Sequence, residues 1–174
     1  MLSDDTLILR ALEPDDLDVL YRWENDTSLW SVGTTIAPFS RKQLWDYIAT
    51  YDNDLYSARQ LRLMIVDRRL GEALGTIDLC DFDPANRRMS VGILIDPAHA
   101  RRGIATRALR IIIEYSRSVL GLHQLYAYVP ADNRPSLSLF GKCGFRSAGC
   151  LRSWLRRGNT YADVIILQKL FADS

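Results

Sequence analysis

Met89-Ser90-Val91-Gly92-Ile93-Leu94-Ile95-Asp96-Pro97-Ala98-His99-Ala100-Arg101-Arg102-Gly103-Ile104-Ala105-Thr106 is the stretch on which the fold turns. Residues 89–95 read as a strand that Asp96-Pro97 ends, because proline cannot donate to a ladder and disfavours helix in the residue before it. Beyond Gly103, apolar side chains at Ile104, Ala108, Ile111, Ile112, Tyr115 and Val119 recur at three- and four-residue steps. That is the stripe of an amphipathic helix, and Gly121 closes it. A doubly basic, glycine-containing turn at a helix start gathers unpaired backbone N–H groups and the positive dipole end at one point, which suits a phosphate. Taken alone, the same turn also fits a plain connection with two solvated arginines.

Working outward, residues 61–67 and 73–82 form two strands before this stretch, joined to each other and to it by turn residues at 68–71 and 83–86. The three make an antiparallel meander. Upstream of them, residues 6–10 are a short strand, and Glu13-Pro14-Asp15-Asp16 opens a helix with Leu17, Leu20 and Tyr21 on one face. Residues 28–39 read as a loop, and Ser40 with Gln43 forms a capping box that starts a second helix with Leu44, Tyr47, Ile48 and Tyr51 inward. Downstream come a strand at 124–129, a helix at 135–143 capped by Asn133 and stopped by Gly144, and a hairpin of 147–155 with 161–167. The order βααβββαβαββ predicts a single α+β domain over residues 1–174, with a mixed, mostly antiparallel twisted sheet of about seven strands flanked by four helices.

Composition bounds the function. The 174 residues carry a net charge of +1, which argues against a nucleic-acid binder relying on a basic face. Cys80, Cys143 and Cys150 lack metal-ligand spacing, so no metal is expected, and reduced thiols fit a cytoplasmic compartment. No apolar run approaches the ~20 residues of a membrane span, and the acidic start is unlike a signal peptide.

Three stretches carry a family resemblance. Ala100-Arg101-Arg102-Gly103-Ile104-Ala105 resembles the Q/R-x-x-G-x-G/A loop of the Gcn5-related N-acetyltransferases (GNAT). The segment from Asn133 through Ser136, Ser138 and Phe140 to Lys142-Cys143-Gly144-Phe145 is similar to that family's N-x-x-S/A…K-x-G-F segment. Arg157-Gly158-Asn159-Thr160-Tyr161-Ala162-Asp163 resembles its G-x-x-Y-x-D hairpin. Within the family, the likeness is to the bacterial branch holding the spermidine/spermine and ribosomal-protein N-terminal acetyltransferases. It implies acetyl-CoA as co-substrate and transfer of its acetyl group to an amine, with a possible homo-oligomer. By the same resemblance the cofactor contacts are Ile93, Leu94, Ile95, Arg101, Arg102, Gly103, Ile104, Ala105, Thr106, Asn133, Ser136, Phe140 and Lys142.

Departures stand out against the family pattern, the first being Ala100 where the loop usually has Gln or Arg. Phe140 occupies the position of the frequent Tyr acid, and Ser90 that of the Glu base. Acyl transfer from a thioester to an amine needs a deprotonated nucleophile, a stabilised oxyanion and a proton for the leaving thiolate. The nearest carboxylates for the base are Asp78 and Asp81, which point to opposite faces if their strand is regular. Ser136 and Ser138 are candidates for delivering a proton through water, and Tyr126, Tyr128 and Tyr161 are further donors that also fit simple cross-strand packing. Glu24, Trp30 and Asp81 are the substrate-side candidates, the acceptor being a small-molecule amine or a peptide N-terminus. Gly92 within its strand implies a bulge or a close backbone approach. With both usual positions emptied, an acyl-CoA-binding sensor without turnover is the competing reading.

Overall fold

The computed structural model describes residues 2–30, 36–52 and 54–171. Its chain order is β1 (Leu2–Ser3), β2 (Leu7–Arg10), a 3-10 turn (Pro14–Asp16), α1 (Leu17–Glu24), α2 (Thr27–Trp30), α3 (Arg41–Ala49) and α4 (Leu55–Ala58). The central part is β3 (Leu61–Asp67), β4 (Ala73–Asp83), β5 (Arg88–Ile95), a 3-10 turn (Pro97–His99) and α5 (Ile104–Ser118). β6 (Gln124–Pro130), α6 (Arg134–Lys142), β7 (Arg146–Arg157) and β8 (Thr160–Leu170) complete it. Eight strands form one sheet in the order β1-β2-β3-β4-β5-β6-β8-β7. The eighth strand is the two-residue β1, too short to leave a periodic signal. Two extra helices relative to the four expected are the single turns α2 and α4. Among the described residues no helix is long and apolar enough to cross a membrane.

Every neighbouring pair is antiparallel except β5 with β6. The odd-numbered residues of β4 and β5, among them Ile77, Leu79, Met89 and Val91, pack against Ile104, Ala108, Leu109 and Ile112 of α5 and Phe140 of α6 in one large core. On the other side, Met64, Val66 and Leu94 meet Leu20 and Trp23 of α1 and Ile48 of α3. The α5 stripe differs from the periodic reading at one end: Val119 is 68% exposed because the helix stops at Ser118, and Leu109 takes a core position instead.

Asp96 ties the layers together where β5 ends. Its carboxylate accepts hydrogen bonds from the Trp23 indole (2.8 Å) and Arg22 (2.9 Å) of α1, and from the backbone N–H of Ala98 (2.9 Å). Burial works against the charge, but these donors outweigh it and hold the carboxyl below its ordinary range.

Candidate active site

The parallel ladder between β5 and β6 lasts three rungs: Arg88 opposite Gln124, Met89 opposite Leu125 and Ser90 opposite Tyr126. Beyond Ser90 both strands continue, each held on its other side, β5 by β4 as far as Ile95 and β6 by β8 as far as Pro130. The facing edges of residues 92–95 and 128–130 therefore diverge into a wedge with no ladder across it. Unpaired strand edges invite an extended, amide-bearing ligand to complete the ladder.

At the open end of the wedge stands the basic turn. Arg101 and Gly103 have φ of +63° and +77°, and Gly103 caps α5 with no side-chain hydrogen bond, leaving the first N–H groups of a 15-residue helix directed outward. Arg101, Arg102 and Gly103 are exposed, Ala105 and Thr106 are half-buried, and Ile104 turns into the core. The Gly103 requirement lies in this left-handed φ, since a Cβ there would meet nothing within 4 Å. Gly92 likewise faces open space, and its pairing with Asp78 runs without a bulge. The strand glycine that crowding demands is Gly75, whose Cβ would lie 2.1 Å from the Leu94 carbonyl oxygen.

On the opposite bank, Asn133 caps α6 by accepting the Ser136 N–H at 3.1 Å. Ser136 is half-buried, and Ser138 and Lys142 are exposed. Cys143, the neighbour of Lys142, has its Sγ 3.9 Å from the Thr106 carbonyl in the first turn of α5, so Lys142 lies at the same end of the molecule as the basic turn. Phe140 is 3% exposed and stacks edge-to-face on Phe145 at 5.0 Å, so its ring belongs to the core.

At the vertex of the wedge a second constellation forms. β4 bulges between Cys80 and Asp83, and Asp81 adopts φ +55°. The strand is thus irregular, and the opposite-face expectation for Asp78 and Asp81 does not hold: the bulge brings the Asp81 carboxylate to the Ser90 hydroxyl at 3.0 Å. The half-buried Tyr126 stands directly opposite Ser90 on the β5/β6 ladder. Burial, then the Asp81 charge, push the Tyr126 phenol up, so it stays protonated at neutral pH and is able to donate. Asp81 and Tyr126 border a cleft of about 450 Å³ that also takes in Arg59, Asp83 and Arg88.

Asp78 sits elsewhere. It pairs with Arg62 at 2.6 Å, and Arg62 reaches Glu24 at 3.0 Å beneath the Tyr47 ring. Burial opposes the Arg62 charge, and Asp78 followed by Tyr47 and Glu24 more than restores it. Both carboxylates are committed to a guanidinium. Trp30, read as loop, is half-buried at the end of α2, its indole donating to the Glu24 carbonyl at 2.8 Å. Residues 31–35 of the expected loop lie outside the described residues. The thiols are free, and burial, then Asp78 and Asp81, raise Cys80 to about 11, far from a nucleophilic thiolate.

Sequence reasoning missed Asp96, Arg59 and Arg62. The only signal was Asp96 before Pro97; Arg59 and Arg62 sit in no motif, and their roles arise from the β3–β4 register.

Comparison with known proteins bears on this geometry. A family model described as an acetyltransferase (GNAT) domain matches residues 6–146. Spermidine N(1)-acetyltransferase of Escherichia coli (strain K12) is 28% identical over 149 residues, covering 86% of this chain and 77% of that protein. A probable N-acetyltransferase of Bacillus subtilis (strain 168), YjcK, is 31% identical over 184 residues, 99% of this chain and 98% of its own. The crystal structure of spermidine N-acetyltransferase from Vibrio cholerae, solved with CoA and spermine, superposes with a TM-score of 0.86 at 25% identity, covering 96% of each chain.

Proposed function

The chain belongs to the GNAT acetyltransferase family, and from that premise we propose that it moves the acetyl group of acetyl-CoA onto a primary amine by direct attack at the vertex of the β5/β6 wedge. The observation that carries this is the wedge itself: two strands that part after three rungs, with a helix N-terminus at the open end and a proton-handling cluster at the closed end. The first N–H groups of α5, with Arg101, Arg102 and Lys142, suit the phosphates. Residues 93–95 suit the pantetheine amides, and their N–H groups would polarise the thioester carbonyl. Acetyl-CoA supplies the activated acyl group.

Asp81 is the base in this reading, taking the ammonium proton directly or through Ser90. Tyr126 is the acid that returns a proton to the thiolate, in place of the hydroxyl that Phe140 lacks. Asp78 and Glu24 support the site through Arg62, and Ser136 remains a pantetheine neighbour. The acceptor is an amine; the relatives named for spermidine make a polyamine one option, beside other small amines and a protein N-terminus. The three free thiols fit a reducing, cytoplasmic setting.

CoA release measured with a panel of amines tests this reading. Wild type should release thiol only with an amine present. Asp81→Asn and Tyr126→Phe should each lower kcat about 10²-fold, at the low end for a positioned acid or base because a thiolate leaves readily. Their KM for acetyl-CoA should hold. Thermal stabilisation by CoA without thiol release for any amine would overturn it.

A further inference from the structure

We infer that the acceptor is an amine that also carries an anionic group, such as an ω-amino acid, rather than a polycation, because the cleft at the wedge vertex presents one carboxylate and one guanidinium that no opposite charge among the described residues pairs. This rests on the acetyl-transfer reading above and narrows it.

Four charged side chains line the cleft. Arg88 and Asp83 pair with each other at 3.0 Å and cancel. Asp81 has the Ser90 hydroxyl as its partner, and among the described residues no cation pairs with it. Arg59 is held by backbone on both sides: the Phe82 N–H donates to its carbonyl at 3.1 Å, and its own guanidinium donates to the Phe82 carbonyl at 3.3 Å. No carboxylate among the described residues pairs with it. Its φ of +53° at the end of α4 fixes the direction in which it leaves the chain. One anionic and one cationic group therefore face a shared space, and a ligand with the opposite pair of charges satisfies both.

A polycation meets the reverse. Its first ammonium would use Asp81, and its next would approach Arg59. Glu24 and Asp78 are both already held by Arg62. Residues 31–40 add no carboxylate. Discrimination here works by repulsion as well as attraction.

The test compares glycine, β-alanine and γ-aminobutyrate with n-alkylamines of matched length and with spermidine, reading amine-dependent CoA release. Wild type should favour the best amino acid over its matched alkylamine by about tenfold in kcat/KM, the low end for a charged hydrogen bond because Arg59 is exposed. Arg59→Gln should bring that ratio close to one through KM of the amino acid. Arg59→Lys should preserve most of it, and Arg59→Glu should move spermidine ahead. CoA-induced thermal stabilisation of each variant checks that the fold is intact. Spermidine leading in wild type, or a ratio that ignores Arg59→Gln in a variant still stabilised by CoA, overturns this inference and leaves acetyl transfer standing. No turnover of any amine removes the transfer reading and this one with it.

Discussion

Asp96 shows how much one side chain organises. It receives two donors from α1 and one from the turn that begins the basic loop, so it couples α1 to that loop. Its folded pKa lies below the unfolded value, so its contribution is present above about pH 4 and is lost as pH falls through the folded pKa. Asp96→Asn should therefore cost about 1–3 kcal/mol at neutral pH, and the gap to wild type should narrow in acid, as urea titrations at several pH values would reveal. Gly103→Ala, forced to φ +77°, should cost roughly 1–2 kcal/mol without CoA and reduce the thermal shift with it. Residue identity alone left two positions open. Phe140 was legible as a missing hydroxyl and Tyr126 as one of three tyrosine donors, but the placement of Tyr126 opposite Ser90 was not, because the β5/β6 register sets it. Asp81 was legible as a carboxylate, but parity counting fails across a bulge that no composition signal marks.

Elements were read far better than their ends. Each long strand and helix follows from local periodicity and caps: the Ser40–Gln43 capping box forms as expected, with the Gln43 N–H on the Ser40 hydroxyl at 3.2 Å and the Ser40 N–H on the Gln43 amide oxygen at 2.8 Å. The single turns α2 and α4 were missed because four residues give no period. The wedge has no local signal; it is a matter of which strands stop pairing, and a strand's sequence does not record that. The hairpin motif gains a physical account here, since Asp163 accepts the N–H of Ser153, held at φ +48° in the β7 bulge, at 2.8 Å. Asp163→Ala should release that bulge at a cost of about 1 kcal/mol, with faster amide exchange confined to residues 151–157.

For the whole molecule, the sheet is a divided platform. α1 and α3 cover one face, α5 and α6 the other, and the cut between β5 and β6 joins the basic turn to the cleft. Binding that completes this cut should stabilise the whole domain: at a CoA concentration of 100 times Kd the gain is about 2.7 kcal/mol, readable as a Tm increase. The most direct measurement of the central claim is the position of the CoA sulfur in a crystal of the complex. The expected result has pantetheine amides paired along residues 92–95, pyrophosphate on the N–H groups of residues 103–106, and the sulfur within hydrogen-bond reach of the Tyr126 hydroxyl beside Ser90. A sulfur lying beside α6, near Ser136 or Ser138 and away from Tyr126, would contradict the account.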